Sequence, residues 1–123
     1  MGDTGAVVAI VDDDELVRRA LCRLVLSLTY RPVGFSSGEE FLASLGELEP
    51  SCAVLDLHMP GLQGLEVLVR VRLRGMNLPV IIITALDQPG MREKCFEAGA
   101  AAYLLKPLER SMFSNAIQVA IAG

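Results

Sequence analysis

With 123 residues, of which 52% are hydrophobic, the chain is long enough to bury one core, and we expect a single domain over residues 1–123. Its net charge of -4 has the wrong sign for a surface that neutralises phosphates, so we expect no direct nucleic-acid binding by this segment. No apolar stretch approaches the roughly 18 residues of a membrane span, and the first residues lack the positive region of a secretory signal. We therefore expect a cytoplasmic protein without membrane contact.

Four short apolar runs alternate with longer segments of helical periodicity. The runs are Ala6–Val11, Cys52–Leu55, Val80–Ile83 and Ala101–Leu105. Short strand-like runs separated by helices predict βα units and a parallel sheet. The whole pattern predicts an α/β fold with five strands and five helices; the four runs account for four of these strands, and no run is assigned to the fifth.

The first two helices are predicted from apolar spacing and from capping residues. Helix one is placed at about residues 14–28. Apolar residues recur at every fourth position from Leu16 to Leu28, and a second row of apolar residues beside them runs from Val17 to Val25. Ser36–Glu40 offers hydroxyl caps and first-turn acids for a short second helix.

The last three helices are predicted from glycines and apolar faces. The third runs from Gly64 to near Gly75, and the fourth from about Gln88 to Ala98. The fifth begins at about Glu109, and its predicted inward face consists of Met112, Phe113, Ala116, Ile117, Ala120 and Ile121.

The cysteines do not indicate a disulfide or zinc framework. Cys22, Cys52 and Cys95 are odd in number, widely separated and embedded in apolar segments. We expect three buried free thiols.

Acidic residues follow two of the predicted strands. Asp12 and Asp13 come after the first run, and Asp56 follows Cys52–Leu55. Taken alone, Asp12–Glu15 is typical of a solvated helix start and Asp56 of an ordinary turn. Because the carboxyl ends of parallel strands share one edge, where open α/β sheets bind ligands, the three acids together favour a site for Mg²⁺, which prefers oxygen ligands.

Two further strand ends carry groups suited to phosphoryl transfer. Thr84 and Lys106 follow the third and fourth runs. A hydroxyl and an ammonium group at this edge would contact phosphoryl oxygens, and a carboxylate there can attack phosphorus to form an acyl phosphate. Separately, the threonine is a common strand former and the lysine a common surface charge. Their joint placement favours the phosphoryl site.

The motifs resemble the receiver domain of two-component response regulators, the CheY-like domains, and are closest to receivers of FixJ and LuxR type. The matching segments span essentially the whole chain: Val11–Asp13, Asp56–Gly61, Thr84–Ala85 and Lys106–Pro107, with Ser36–Leu42, Ala98–Ala100 and Tyr103 as further likenesses. The resemblance implies a doubly wound, flavodoxin-like domain with a parallel sheet in the order 2-1-3-4-5.

The resemblance also implies a role for each acid. Asp56 is the phosphoacceptor, and Mg²⁺, for which Mn²⁺ is a possible substitute, is bound by Asp12, Asp13, Asp56 and the backbone carbonyl of His58. The His58 side chain is expected at the rim, because an isolated histidine lacks the partners of a metal site.

The remaining site residues are implied in the same way. Thr84 and Lys106 contact the phosphoryl group, and the peptide bond before Pro107 is cis. Tyr103 is the switch aromatic, turning inward when Thr84 moves toward the phosphoryl group. The alternative is that Tyr103 is an amphipathic strand residue with its hydroxyl at the surface.

The implied partner is a sensor histidine kinase. The implied output is a switch that controls transcription through a domain not present in this chain, with possible homodimerisation through the fourth helix, fifth strand and fifth helix. Leu86 offers no hydrogen bond to an attacking water, so we expect a long-lived phosphorylated form.

Two other functions remain open. The chain could be a stand-alone receiver acting through protein–protein contacts. It could instead be a phosphohydrolase with an aspartate nucleophile, but enzymes resembling the haloacid dehalogenases have a second aspartate where His58 stands. We therefore expect a phosphoacceptor that catalyses its own phosphorylation and dephosphorylation rather than an enzyme acting on outside substrates.

Overall fold

The computed structural model describes residues 5–123, in which five parallel strands form one sheet flanked by five helices. The strands are β1 (Val7–Val11), β2 (Arg31–Phe35), β3 (Cys52–Asp56), β4 (Val80–Thr84) and β5 (Ala102–Leu105). The helices are α1 (Glu15–Ser27), α2 (Gly38–Ser44), α3 (Gly64–Leu73), α4 (Met91–Glu97) and α5 (Arg110–Ala122). The strand order is β2-β1-β3-β4-β5, which confirms the predicted doubly wound α/β fold. Residues 1–4 of the predicted domain lie outside the described part.

The core has two layers because successive side chains of each strand point to opposite faces of the sheet. Val8 and Ile10 of β1 pack with α1 and α5, whereas Ala9 and Val11 pack with α2, α3 and α4. Every residue of β3 and β4 is buried. Burial on both faces explains their continuous apolar sequences.

The structure corrects details of the predicted helices. Leu16 is 77% exposed, and the buried row of α1 passes through Leu21 and Val25 instead. Met112, predicted to point inward from α5, is 56% exposed. Helix α4 begins at Met91 rather than Gln88, because the preceding Gly90 has a left-handed backbone with φ of 81°.

The prediction of three buried thiols is wrong for one of them. Cys52 and Cys95 are buried, but Cys22 is partly exposed on α1. Within residues 5–123, no helix is long and apolar enough to cross a lipid bilayer.

Candidate functional site

The sheet register brings the three acids together. Val11 of β1 lies beside Leu55 of β3, so the residues that follow them, Asp12 and Asp56, emerge at the same edge. One carboxylate oxygen from each of Asp12, Asp13 and Asp56 lies within 4.8 Å of the others. Asp12 is fully buried, Asp56 is 6% exposed and Asp13 is exposed. The acids predicted to share an edge therefore do so.

The start of α1 orients the first acid. Asp14 caps the helix by accepting hydrogen bonds from the backbone N–H groups of Leu16 and Val17, at 2.9 and 3.2 Å. Asp12 turns inward, where its Oδ1 accepts from the Asp14 N–H at 3.0 Å and its carbonyl accepts from the Arg18 guanidinium at 2.7 Å. The alternative of a solvated helix start thus describes Asp14, whereas Asp12 belongs to the cluster. Arg18 could not be recognised from the sequence, because it resembles the other basic residues of α1.

Lys106 supplies positive charge to the buried acids. Its Nζ lies 3.1 Å from Asp12 Oδ2 and 3.5 Å from Asp56 Oδ1. The peptide bond between Lys106 and Pro107 is cis. Burial disfavours the charged lysine, but the hydrogen bond to Asp12 and the two carboxylate charges outweigh it and raise the pKa of Lys106.

Asp56 lies in an environment that resists its negative charge. Burial raises its pKa, as does the charge of Asp12, while Lys106 opposes the shift. With all three acids ionised, the cluster has two negative charges in excess of the single lysine. A further cation at the cluster would favour the ionised, nucleophilic form of Asp56.

The cluster fits Mg²⁺ in its chemistry. The donors are hard carboxylate oxygens that converge at the sheet edge, and among residues 5–123 Lys106 is the cation paired with them, so three carboxylates face one ammonium group. Mg²⁺ commonly takes one or two protein carboxylates, keeps several waters and binds phosphate oxygens. Exposed Asp13 leaves one side of the cluster open to solvent.

Thr84 lies at the same edge, but its hydroxyl is bonded to the loop that follows. The buried Oγ1 donates to the carbonyl of Leu86 at 2.9 Å and accepts from the Leu86 N–H at 3.1 Å. In this structure the hydroxyl hydrogen is therefore committed to the β4–α4 loop rather than to the acid cluster.

Tyr103 has a buried ring and a bonded hydroxyl. The residue is 5% exposed, and its hydroxyl donates to Oδ1 of the exposed Asp87 at 3.1 Å. Asp87 has no counterpart in the predicted site, because a loop aspartate after a strand is too common to attract notice.

His58 only partly matches the rim residue expected from the sequence. The side chain is partly exposed as a whole, yet its Nε2 is buried and has no hydrogen-bond partner among the described residues. Gly64 was predicted to open the third helix, but the sequence did not show how closely it approaches Asp56. A Cβ there would lie 2.5 Å from the carbonyl oxygen of Asp56, so only glycine lets α3 start this close to the acid.

Known proteins resemble the chain along nearly its whole length. A family model described as the response regulator receiver domain matches residues 8–118. The response regulator protein TmoT of Ectopseudomonas mendocina is 36% identical over 121 residues, covering 98% of this chain and 55% of that protein. The chain spans about half the length of the curated relatives it matches.

Two crystal structures extend the likeness to three dimensions. FixJ-N has 32% identity and a TM-score of 0.89, with 99% of this chain and 96% of that chain covered. A response regulator receiver protein from Burkholderia phymatum has 40% identity and a TM-score of 0.84, with 95% of each chain covered. The chain belongs to the response regulator receiver domains, the phosphoacceptor modules of two-component signalling.

Proposed function

We propose that residues 1–123 form a receiver domain that accepts a phosphoryl group on Asp56 from a sensor histidine kinase, with Mg²⁺ as cofactor. The observation that carries the proposal is the convergence of three carboxylates and one lysine at the carboxyl edge of the sheet. The family match supports the phosphoacceptor role. The excess of three carboxylates over one lysine supports the proposal that Mg²⁺ is the cofactor.

Each residue of the proposed site has a distinct task. Asp56 provides the attacking carboxylate oxygen. The Lys106 Nζ lies 3.5 Å from Asp56 Oδ1 and offers its positive charge to a phosphoryl oxygen. Thr84 donates its hydroxyl to a second phosphoryl oxygen once it leaves Leu86. Tyr103 follows that movement as the switch residue.

The cofactor would be held by side chains of Asp12, Asp13 and Asp56 and by the backbone carbonyl of His58. When bound, Mg²⁺ neutralises charge on the transferring phosphoryl group. The remaining work belongs to the protein. Asp12 and Asp13 supply negative charge beside Asp56. The Arg18 guanidinium, which donates to the Asp12 carbonyl, and the Asp14 N–H, which donates to the Asp12 carboxylate, keep the Asp12 loop in place. Mn²⁺ is a possible substitute.

The output is proposed to be a conformational switch that controls transcription through a domain outside this chain. The greater length of the matched response regulators supports this arrangement. Phosphorylation is proposed to favour homodimerisation through α4, β5 and α5, where Leu105, Met112 and Val119 are 49, 56 and 64% exposed. We place the protein in the cytoplasm, where its kinase would act.

Turnover of outside substrates is the less favoured function. A phosphohydrolase of the haloacid dehalogenase kind needs an acid two residues after its nucleophile. Here that residue is His58, whose Nε2 is buried and without a hydrogen-bond partner in residues 5–123. A stand-alone receiver that acts by protein contacts would use the same phosphoacceptor chemistry.

The test is intact mass spectrometry after incubation with acetyl phosphate and Mg²⁺. Wild type should gain the mass of one phosphoryl group, and Asp56→Asn should gain none. Asp14→Asn is a matched control, because asparagine caps a helix as well as aspartate and Asp14 lies outside the cluster. Equal labelling of Asp56→Asn and wild type would refute the assignment of the phosphoacceptor.

A further inference from the structure

The segment between Thr84 and Asp87 links the candidate phosphoryl site to strand β5. At one end the Thr84 hydroxyl bonds both backbone groups of Leu86. At the other end the Asp87 carboxylate accepts the Tyr103 hydroxyl at 3.1 Å. The Leu86 carbonyl belongs to the peptide group that joins Leu86 to Asp87, so both contacts act on one short piece of backbone.

The Thr84 hydroxyl faces an exclusive choice. It has a single hydrogen, which is now donated to the Leu86 carbonyl at 2.9 Å. A bond to a phosphoryl oxygen requires that this donation be given up. Any contact that fixes the Leu86–Asp87 peptide therefore favours the present position of the hydroxyl.

Asp87 makes such a contact with Tyr103, whose own position is fixed by burial and by Arg92. Tyr103 is buried, and the Arg92 guanidinium lies over its ring at 5.8 Å and over the Phe96 ring at 5.1 Å. Arg92 also donates to the Tyr103 carbonyl at 3.5 Å. Burial and the Asp87 contact raise the pKa of Tyr103 to about 12, so the hydroxyl keeps its hydrogen at neutral pH.

We propose that Asp87 is a positioning residue: through its hydrogen bond with Tyr103 it holds the β4–α4 loop in the resting arrangement and restrains Thr84 from reaching the phosphoryl group. This inference rests on the proposed phosphoacceptor function. It adds a residue that sets how readily the switch operates. The competing explanation is an ordinary surface hydrogen bond with no influence on the site.

The test compares five proteins: wild type, D87A, Y103F, the double variant and D87N. D87A removes the acceptor and Y103F removes the donor, whereas D87N keeps an acceptor oxygen in place. Asp87 is exposed and Y103F keeps the aromatic ring, so both changes preserve the core. Initial phosphorylation rates are measured with acetyl phosphate and Mg²⁺ by intact mass.

Removal of either partner should raise the phosphorylation rate by the same factor, about threefold to tenfold, which corresponds to one net hydrogen bond. The double variant should match the single variants, because both lose the same contact. D87N should stay within about twofold of wild type, as expected when a weaker neutral bond survives. An unchanged rate in D87A, or a double variant whose effect is the product of the two single effects, would overturn the proposal.

Amide hydrogen exchange gives a second readout that does not require phosphorylation. The Leu86 N–H, which donates to Thr84, should exchange faster in D87A and Y103F but not in D87N. Unchanged exchange in D87A overturns the coupling. If wild type takes up no phosphoryl group while exchange responds as expected, the phosphoacceptor function fails and the coupling between Asp87 and Thr84 stands.

Discussion

Gly64 is a sharp test of how closely α3 approaches the phosphoacceptor. A Cβ at this position would lie 2.5 Å from the Asp56 carbonyl oxygen and 3.0 Å from the Leu57 Cα. Both obstacles are backbone atoms, which cannot swing aside like the end of a side chain. Gly64→Ala should therefore push the start of α3 away from the strand or shift Asp56 itself.

The cost of this substitution follows from two opposing effects. Inserting a methyl group into a packed region typically costs about 1–3 kcal/mol. Replacing glycine with alanine in a helix returns up to about 1 kcal/mol, and less at the first helical residue. We expect a net loss of about 1–2 kcal/mol in the free energy of unfolding, together with slower phosphorylation of Asp56, since its spacing from Lys106 changes.

Urea denaturation measures this loss directly. For a domain of this size, the expected loss lowers the unfolding midpoint by on the order of 1 M. Gly46→Ala is the matched control, because a Cβ there meets no atom within 4 Å and the backbone is not left-handed. It should be neutral or stabilising by up to about 1 kcal/mol. If Gly64→Ala were as stable as Gly46→Ala, the close approach of α3 to Asp56 would be refuted.

Three further predictions concern the site and the cysteines. Lys106→Met should abolish or strongly slow phosphorylation by acetyl phosphate, because it removes the ammonium group 3.5 Å from Asp56; a wild-type rate by intact mass would contradict the role of the lysine. Leu86 is 57% exposed and offers no side-chain hydrogen bond, so Leu86→Glu or Leu86→Asn should change the rate at which phosphate is lost; identical decay curves would exclude an influence of this side chain on water. In native protein a thiol reagent should label Cys22 first, since Cys52 and Cys95 are buried; Cys22→Ser should remove the fast phase, and its persistence would show that another thiol is accessible.

The parallel sheet was predictable where burial dictates the sequence. Strands β3 and β4 are buried on both faces, so their sequences are continuous apolar runs that can be recognised without a structure. Strand β2 is different: Arg31–Phe35 contains a proline and a glycine and is only partly buried at the sheet edge. Its position follows from pairing with β1 and not from any pattern of its own.

Contacts that form only in the folded chain account for what the sequence did not show. The three acids were predictable as a group because each follows a strand that ends at the same edge. Arg18, Asp87 and Gly64 matter through the atoms that they meet in three dimensions: a carbonyl, a tyrosine hydroxyl and a neighbouring backbone. Residue type and spacing do not encode these contacts.

The negative charge of the acid cluster leads to a final prediction about the thermal stability of the folded domain. Burial and Asp12 raise the pKa of Asp56, so its folded-state pKa exceeds its unfolded-state value. Such a group favours folding when protonated, and its ionised form at neutral pH weighs against the folded state. Asp56→Asn removes that charge and leaves the Lys106–Asp12 pair intact.

We therefore expect Asp56→Asn to melt at a higher temperature than wild type at pH 7 in the presence of a chelator. Adding Mg²⁺ should narrow or reverse the difference, since a ligand that binds the folded state alone stabilises it by about 1.4 kcal/mol at ten times its dissociation constant. Asp14→Asn again provides the control, because its carboxylate caps α1 away from the cluster. A lower melting temperature for Asp56→Asn in chelator would mean that Lys106 already compensates the buried carboxylates, and the electrostatic case for a divalent cation at this edge would fail.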